Sequence, residues 1–102
     1  MRLRLLPEAD VEIQAAAQWY EDRVAGLGER VLAEAVEAFA EIEQHPHRFA
    51  QLEYPTKREL RRRFLVHFPY YFTYEVREDE CVVVAFAHAS RKPGFWRDRL
   101  GS

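Results

Sequence analysis

The chain has 102 residues, 48% hydrophobic, 14% aromatic and 31% charged; this suits one domain over residues 1–102 with a modest core and excludes an intrinsically disordered chain. The lone Cys81 excludes an internal disulfide, and no apolar run approaches the roughly 20 residues of a bilayer-spanning helix. Residues 1–6, MRLRLL, are too short and too charged for a signal peptide, so a cytoplasmic protein without membrane association is expected.

Residues 2–6 alternate Arg and Leu, the period of a strand, and Pro7 stops it. Glu8 and Asp10 stand where carboxylates favour a helix N-terminus. The spacing of Val11, Ala15 and Trp19, widened by Ile13, Ala17, Tyr20 and Val24, predicts an amphipathic helix ending near Ala25. Gly26-Leu27-Gly28 breaks it. A second helix is expected from about Glu29 to Gln44, with Val31, Ala35, Phe39 and Ile42 inward, and Glu34, Glu37, Glu41 and Glu43 toward water; Pro46 ends it. Trp19 and Phe39 are expected in the helix-to-sheet core. After a loop over 45–56 the period becomes strand-like: Leu60–Phe68, Tyr70–Arg77 and Cys81–His88, divided by Pro69 and by Glu78-Asp79-Glu80. Residues 92–100 would add a short turn. The order is β-α-α-β-β-β, an α+β fold with an antiparallel sheet and an αα-hairpin packed on one face.

Net charge is −2, but it is unevenly spread. Residues 1–56 carry 5 basic and 11 acidic side chains, −6, whereas 57–102 carry 10 and 6, +4. A basic half suits a nucleic acid or an acidic protein surface, while overall acidity argues against strong nonspecific RNA binding.

Several features occur together in order: Trp19-Tyr20, Gly26-Leu27-Gly28, an alanine- and glutamate-rich helix, Pro46 and Phe49 in HPHRF, Phe68-Pro69-Tyr70, Tyr74, and His88 followed by Arg91 and Pro93. In this order and spacing the chain resembles the RelE/ParE toxin superfamily, especially its plasmid-stabilisation branch, over nearly its full length. The resemblance implies the toxin of a type II toxin–antitoxin system, neutralised by a cognate antitoxin protein in a hetero-oligomer. Some members resemble ribosome-dependent mRNA endonucleases, others inhibitors of DNA gyrase, so membership gives the system and not the target.

The densest candidate site is Lys57, Arg58, Arg61, Arg62 and Arg63. Pleating puts Arg61 and Arg63 on one face and Arg62 on the other, and arginine forks bind phosphates and carboxylates. The plainer reading is a charged edge that resists aggregation. Target or antitoxin binding is expected of Lys57, Arg58, Arg61, Arg63, Lys92 and Phe95, with Arg61–Arg63 and Arg91 on a common exposed surface. If the chain cleaves RNA, His88 would be base or acid, Arg62 and Arg91 would steady the phosphorane, and Glu53 or Glu59 would be the carboxylate partner. Otherwise His88 satisfies backbone groups at a strand end. In ribosome-dependent relatives a late tyrosine or histidine joins several basic residues; Phe95-Trp96 fill the place of a tyrosine here, and Phe95 could stack on a base.

Tyr70, Phe72 and Tyr74 share a face, an RNA-stacking platform or, more simply, core. His45 and His47 fit no zinc motif, Cys81 is a small hydrophobe, and no phosphate loop or G-x-S-x-G is present, so no cofactor or metal is expected. The favoured expectation is a non-catalytic ParE-like inhibitor of DNA gyrase. The alternatives are a RelE-like mRNA interferase acting on the ribosome, and a weakly toxic member serving as an assembly partner. The helices carry apolar residues over a wide arc, including Val11, Ile13 and Leu32, more than one sheet face can cover. An antitoxin tail adding a strand or laying down a helix would shield the excess.

Overall fold

The computed structural model describes residues 1–101. Strand β1 (Arg2–Leu5) leads through Leu6 into helix α1 (Pro7–Glu21). Pro7 therefore both ends the strand and opens the helix, where its missing N–H costs nothing. Helix α1 ends four residues before Ala25. Gly26, at φ +89°, starts α2 (Leu27–Gln44), so Leu27 and Gly28 belong to the second helix and not to a loop. Gly28 sits where the helices cross. A Cβ there would lie 2.6 Å from the Ala17 carbonyl oxygen, a distance only glycine permits. The Glu21 carboxylate accepts the N–H groups of Gly26 and Gly28, so α1 caps the start of α2.

The sheet has the order β1-β5-β4-β3-β2. Its other members are β2 (Ala50–Gln51), β3 (Glu59–Phe64), β4 (Tyr70–Val76) and β5 (Glu80–His88). The sheet is antiparallel except that β1 runs parallel to β5, from Arg2↔Glu80 to Leu5↔Val83. The two-residue β2 lies inside the stretch expected to be loop; it is exposed and too short to show a period. Strand β3 ends at Phe64 and not Phe68, because Leu65 N–H turns to the Tyr70 carbonyl to close the hairpin.

The helices cover one sheet face. Ala9, Ile13, Ala16 and Ala17 of α1 and Val31, Ala35, Ala38 and Ile42 of α2 pack on Phe72, Tyr74, Val83 and Phe86. The aromatic alternation of β4 is thus core. A bulge in β5, where Thr73 pairs with Ala85 and Tyr74 with Val83, keeps Val83 and Phe86 on this side. It leaves Val84 and Ala85 on the other, where Leu60, Trp96 and Leu100 form a second core with Tyr54. The tail ends in a 3-10 turn, Arg97–Leu100. It therefore supplies a cover for the second face, with Trp96 fully buried.

One inward and one outward assignment are overturned. The stripe Val11, Ala15, Trp19 faces solvent, with Val11 67% and Trp19 49% exposed. The alanine-rich side is buried instead, because small side chains let α1 approach both α2 and the sheet. Glu34 is buried at 8% exposure and does not face water. Its carboxylate holds the β3–β4 turn through Val66 N–H at 2.6 Å, His67 N–H, and the His67 ring at 2.6 Å. Phe39 is half-buried against Phe72. No helix of the described residues is long and apolar enough to cross a membrane.

Candidate functional site

The pleat of β3 divides the arginine cluster. Arg61 and Arg63 turn to the helix side. Arg61 donates to Glu59 at 2.7 Å and to the Phe49 carbonyl; Arg63, 7% exposed, donates to Glu41 of α2 at 2.9 Å and to the Phe64 carbonyl. Arg58 donates to Glu75, itself buried, at the far end of the strand, beside the exposed Lys57. The expectation that Arg61–Arg63 and Arg91 share one exposed surface is therefore not met: Arg61 and Arg63 tie β3 to its neighbours. Arg62 alone stands on the opposite face, 5.2 Å and 5.3 Å over the Phe64 and Tyr71 rings, and makes no ion pair with any described residue. Phe64 is 48% exposed beside it. Tyr71 links this patch to the tail, its hydroxyl donating to the Arg91 carbonyl at 3.2 Å. Arg91 lies 3.6 Å over Phe95, with Lys92 exposed next to it.

His88 is exposed at the end of β5, on the helix side. Its Nδ1 accepts the Ser90 N–H at 3.0 Å and lies 2.8 Å from the Ser90 hydroxyl; its ring meets Tyr70 edge-on. The histidine thus satisfies a backbone group where the strand ends. His88 and Arg91 line one groove, but Arg62 lies on the other side of the sheet. Glu59 is at the opposite end: it pairs with Val76, whereas His88 pairs with Tyr70. Glu59 is engaged by Arg61 and by His47, each at 2.7 Å. Burial would raise its pKa, but those hydrogen bonds outweigh it and hold the carboxyl below its ordinary value. Glu53 is exposed. Burial pushes the Cys81 thiol up, away from the reactive thiolate. Among the described residues no three metal-ligating side chains cluster.

Two residues whose roles the sequence analysis did not assign are central. Glu12 of α1 accepts Phe86 N–H at 3.1 Å and both Arg99 nitrogens at 2.8 and 2.9 Å, with Arg91 at 3.8 Å. These partners lie more than 70 residues away in sequence, so spacing reveals nothing. Trp19 is the other. Its signal was Arg23 one turn later, whose guanidinium lies 3.3 Å over the indole, the mark of a surface pair.

The fold is similar to that of a solved structure. The structure described as the chromosomal ParDE TA system from P. aeruginosa superposes with TM-score 0.67 at 20% identity, covering 86% of this chain and 95% of that one. Residues 3–93 match the family described as ParE toxin of type II toxin-antitoxin system, parDE, and the chain belongs to that family. No curated relative matches the chain.

Proposed function

We propose that the chain is a non-catalytic inhibitor of DNA gyrase, acting in the cytoplasm as one toxin domain and silenced by a cognate ParD-type antitoxin. The observation that carries this reading is the separation of the residues RNA cleavage would need. Arg62 stands on one sheet face, His88 on the other with its Nδ1 lone pair engaged, and the carboxylate of Glu59 is at the far end. General acid–base catalysis requires these groups within hydrogen-bond reach of one phosphate. What the chain offers instead is two separate cationic and aromatic patches, Arg62 beside Phe64 on one sheet face and Arg91 over Phe95 with Lys92 in the tail, each suited to protein contact.

The test pairs gyrase supercoiling with mRNA cleavage in a translating extract. The purified toxin should inhibit supercoiling and leave transcripts intact. His88→Ala should inhibit within about threefold of the parent, since the loss of a rim contact moves binding by under ~1 kcal/mol. Transcript cleavage that disappears in folded His88→Ala would overturn the proposal in favour of an mRNA interferase.

A further inference from the structure

Between β3 and β4 the chain reads Phe64-Leu65-Val66-His67-Phe68-Pro69-Tyr70. Turns are commonly built from Gly, Asn, Asp, Ser and Pro, yet this one is mostly apolar. Leu65 and Phe68 are accounted for by the core: both are buried, and Phe68 meets the Tyr20 ring of α1 edge-on at 4.8 Å. Val66 and Phe64 are not. Val66 is 76% exposed and gains almost nothing from burial. Phe64 is half-exposed and covers only the Tyr71 ring, 5.3 Å away.

The backbone that carries these two side chains is pinned at four successive residues. The Phe64 carbonyl accepts Arg63, which is itself tied to Glu41 of α2 at 2.9 Å. Leu65 N–H donates to the Tyr70 carbonyl at 2.9 Å. The buried Glu34 carboxylate takes the N–H groups of Val66 at 2.6 Å and His67 at 3.2 Å. Water would serve the N–H groups of an exposed turn without withdrawing a charge from solvent. The fold instead commits a buried carboxylate to fixing the direction of Val66. Beside the turn, Arg62 lies 5.2 Å over the Phe64 ring and has no ion pair among the described residues. A pinned backbone, exposed apolar side chains and an unpaired guanidinium are together the properties of an interface anchor: ordering costs little, and the charge selects its partner.

We infer that the β3–β4 turn is a rigid prong that inserts Val66 and Phe64 into an apolar pocket of the target protein, with Arg62 meeting a carboxylate on the rim of that pocket. The inference rests on the gyrase reading under the proposed function and says which part of the toxin enters the target and what chemistry receives it. Glu34 is a positioning residue: it touches nothing of the target and acts by holding Val66 in place. Charge complementarity favours an acidic rim over a basic one.

The experiment uses the full chain and complete DNA gyrase with its DNA, with binding measured by calorimetry and inhibition by supercoiling. Val66→Ser and Phe64→Ser should each weaken binding and inhibition roughly tenfold, whereas Val66→Leu, which keeps an apolar tip, should stay within about threefold of the parent. Thermal unfolding of Val66→Ser should match the parent, since the side chain is exposed. Glu34→Ala, compared at equal folded fraction, should bind roughly threefold or more weakly and should weaken Val66→Ser no further, because both changes remove the same insertion. A Glu34 that serves stability alone would leave affinity per folded molecule unchanged. If the parent inhibits gyrase and the Val66 and Phe64 variants inhibit equally well, the prong is wrong while the gyrase reading stands. If the parent neither binds nor inhibits gyrase, that reading falls and the prong falls with it. A parent chain that self-associates, with Val66→Ser monomeric, would assign the turn to a second copy and overturn the inference.

Discussion

Replacing Glu34 with alanine removes a single carboxylate from the middle of α2, and the outcome can be sized from its contacts. The group accepts Val66 N–H at 2.6 Å, His67 N–H at 3.2 Å and lies 2.6 Å from His67 Nδ1. Hydrogen bonds to a charged acceptor contribute about 1.5–3 kcal/mol each when fully desolvated. Val66 and His67 are exposed turn residues, so water replaces the carboxylate at their N–H groups in the variant. The expected loss is then about 2–3 kcal/mol for the set, or a fall in Tm of roughly 8–20 °C for a domain this size. Urea and thermal unfolding at neutral pH measure it, with Glu37→Ala on the exposed side of the same helix as the control. The pH dependence follows from the direction of the shift. Burial alone would raise the Glu34 pKa, but hydrogen bonds from the His67 ring and from the His67 and Val66 N–H groups overcome it and hold the folded value below the ordinary 4.5. A depressed carboxyl contributes stability that is complete above its unfolded pKa and is lost as pH falls through the folded one. The gap between parent and Glu34→Gln should therefore be widest above pH 4.5 and close in stronger acid. A neutral-pH loss under about 0.5 kcal/mol, the ordinary range for surface changes, or a gap that does not narrow in acid, would refute the reasoning.

Four further outcomes are expected. Trp96→Ala should cost about 3–5 kcal/mol in denaturant unfolding, because the indole is fully buried in the second core. Trp96→Phe should cost far less than Trp96→Ala, since the indole N–H makes no hydrogen bond to a described residue. Gly28→Ala should destabilise by about 1–3 kcal/mol, despite alanine's higher helix propensity, because its Cβ would press on the Ala17 carbonyl; an unchanged Tm would mean that the helices separate freely. Arg62→Glu should weaken gyrase inhibition at least roughly tenfold at constant stability, as reversing an unpaired interfacial charge does, and supercoiling assays at matched folded fraction read it.

The positions of the elements other than the two-residue β2 were legible because each rests on local pattern. The Arg-Leu alternation of residues 2–5, the alanine-rich repeat of α2, the Tyr-Phe-Tyr alternation of β4 and the apolar run of β5 each carry their own period. The pleat argument also held at Arg61, Arg62 and Arg63, which do point to alternate faces. Which face each one met was not legible. The same alternation that predicts the division says nothing of whether Glu41 or open solvent waits on either side.

The amino-acid sequence thus determined the element order apart from β2, the helix-then-strand grouping and the family. The first two follow from periodicity and breakers along the chain, and the family from the resemblance that the match over residues 3–93 bears out. The tertiary structure alone decided the rest. Helix α1 carries two apolar stripes, and close approach to α2 and the sheet selected the alanine side, leaving Trp19 outside. The parallel pairing of β1 with β5 joins residues 78 apart. The pairing of Glu12 with Phe86 and Arg99 spans 74 and 87 residues, and that of Glu34 with His67 spans 33. Burial of Glu34 and partial burial of Glu12 turned those carboxylates into clamps, because a charge withdrawn from water must find its donors wherever the fold has brought them.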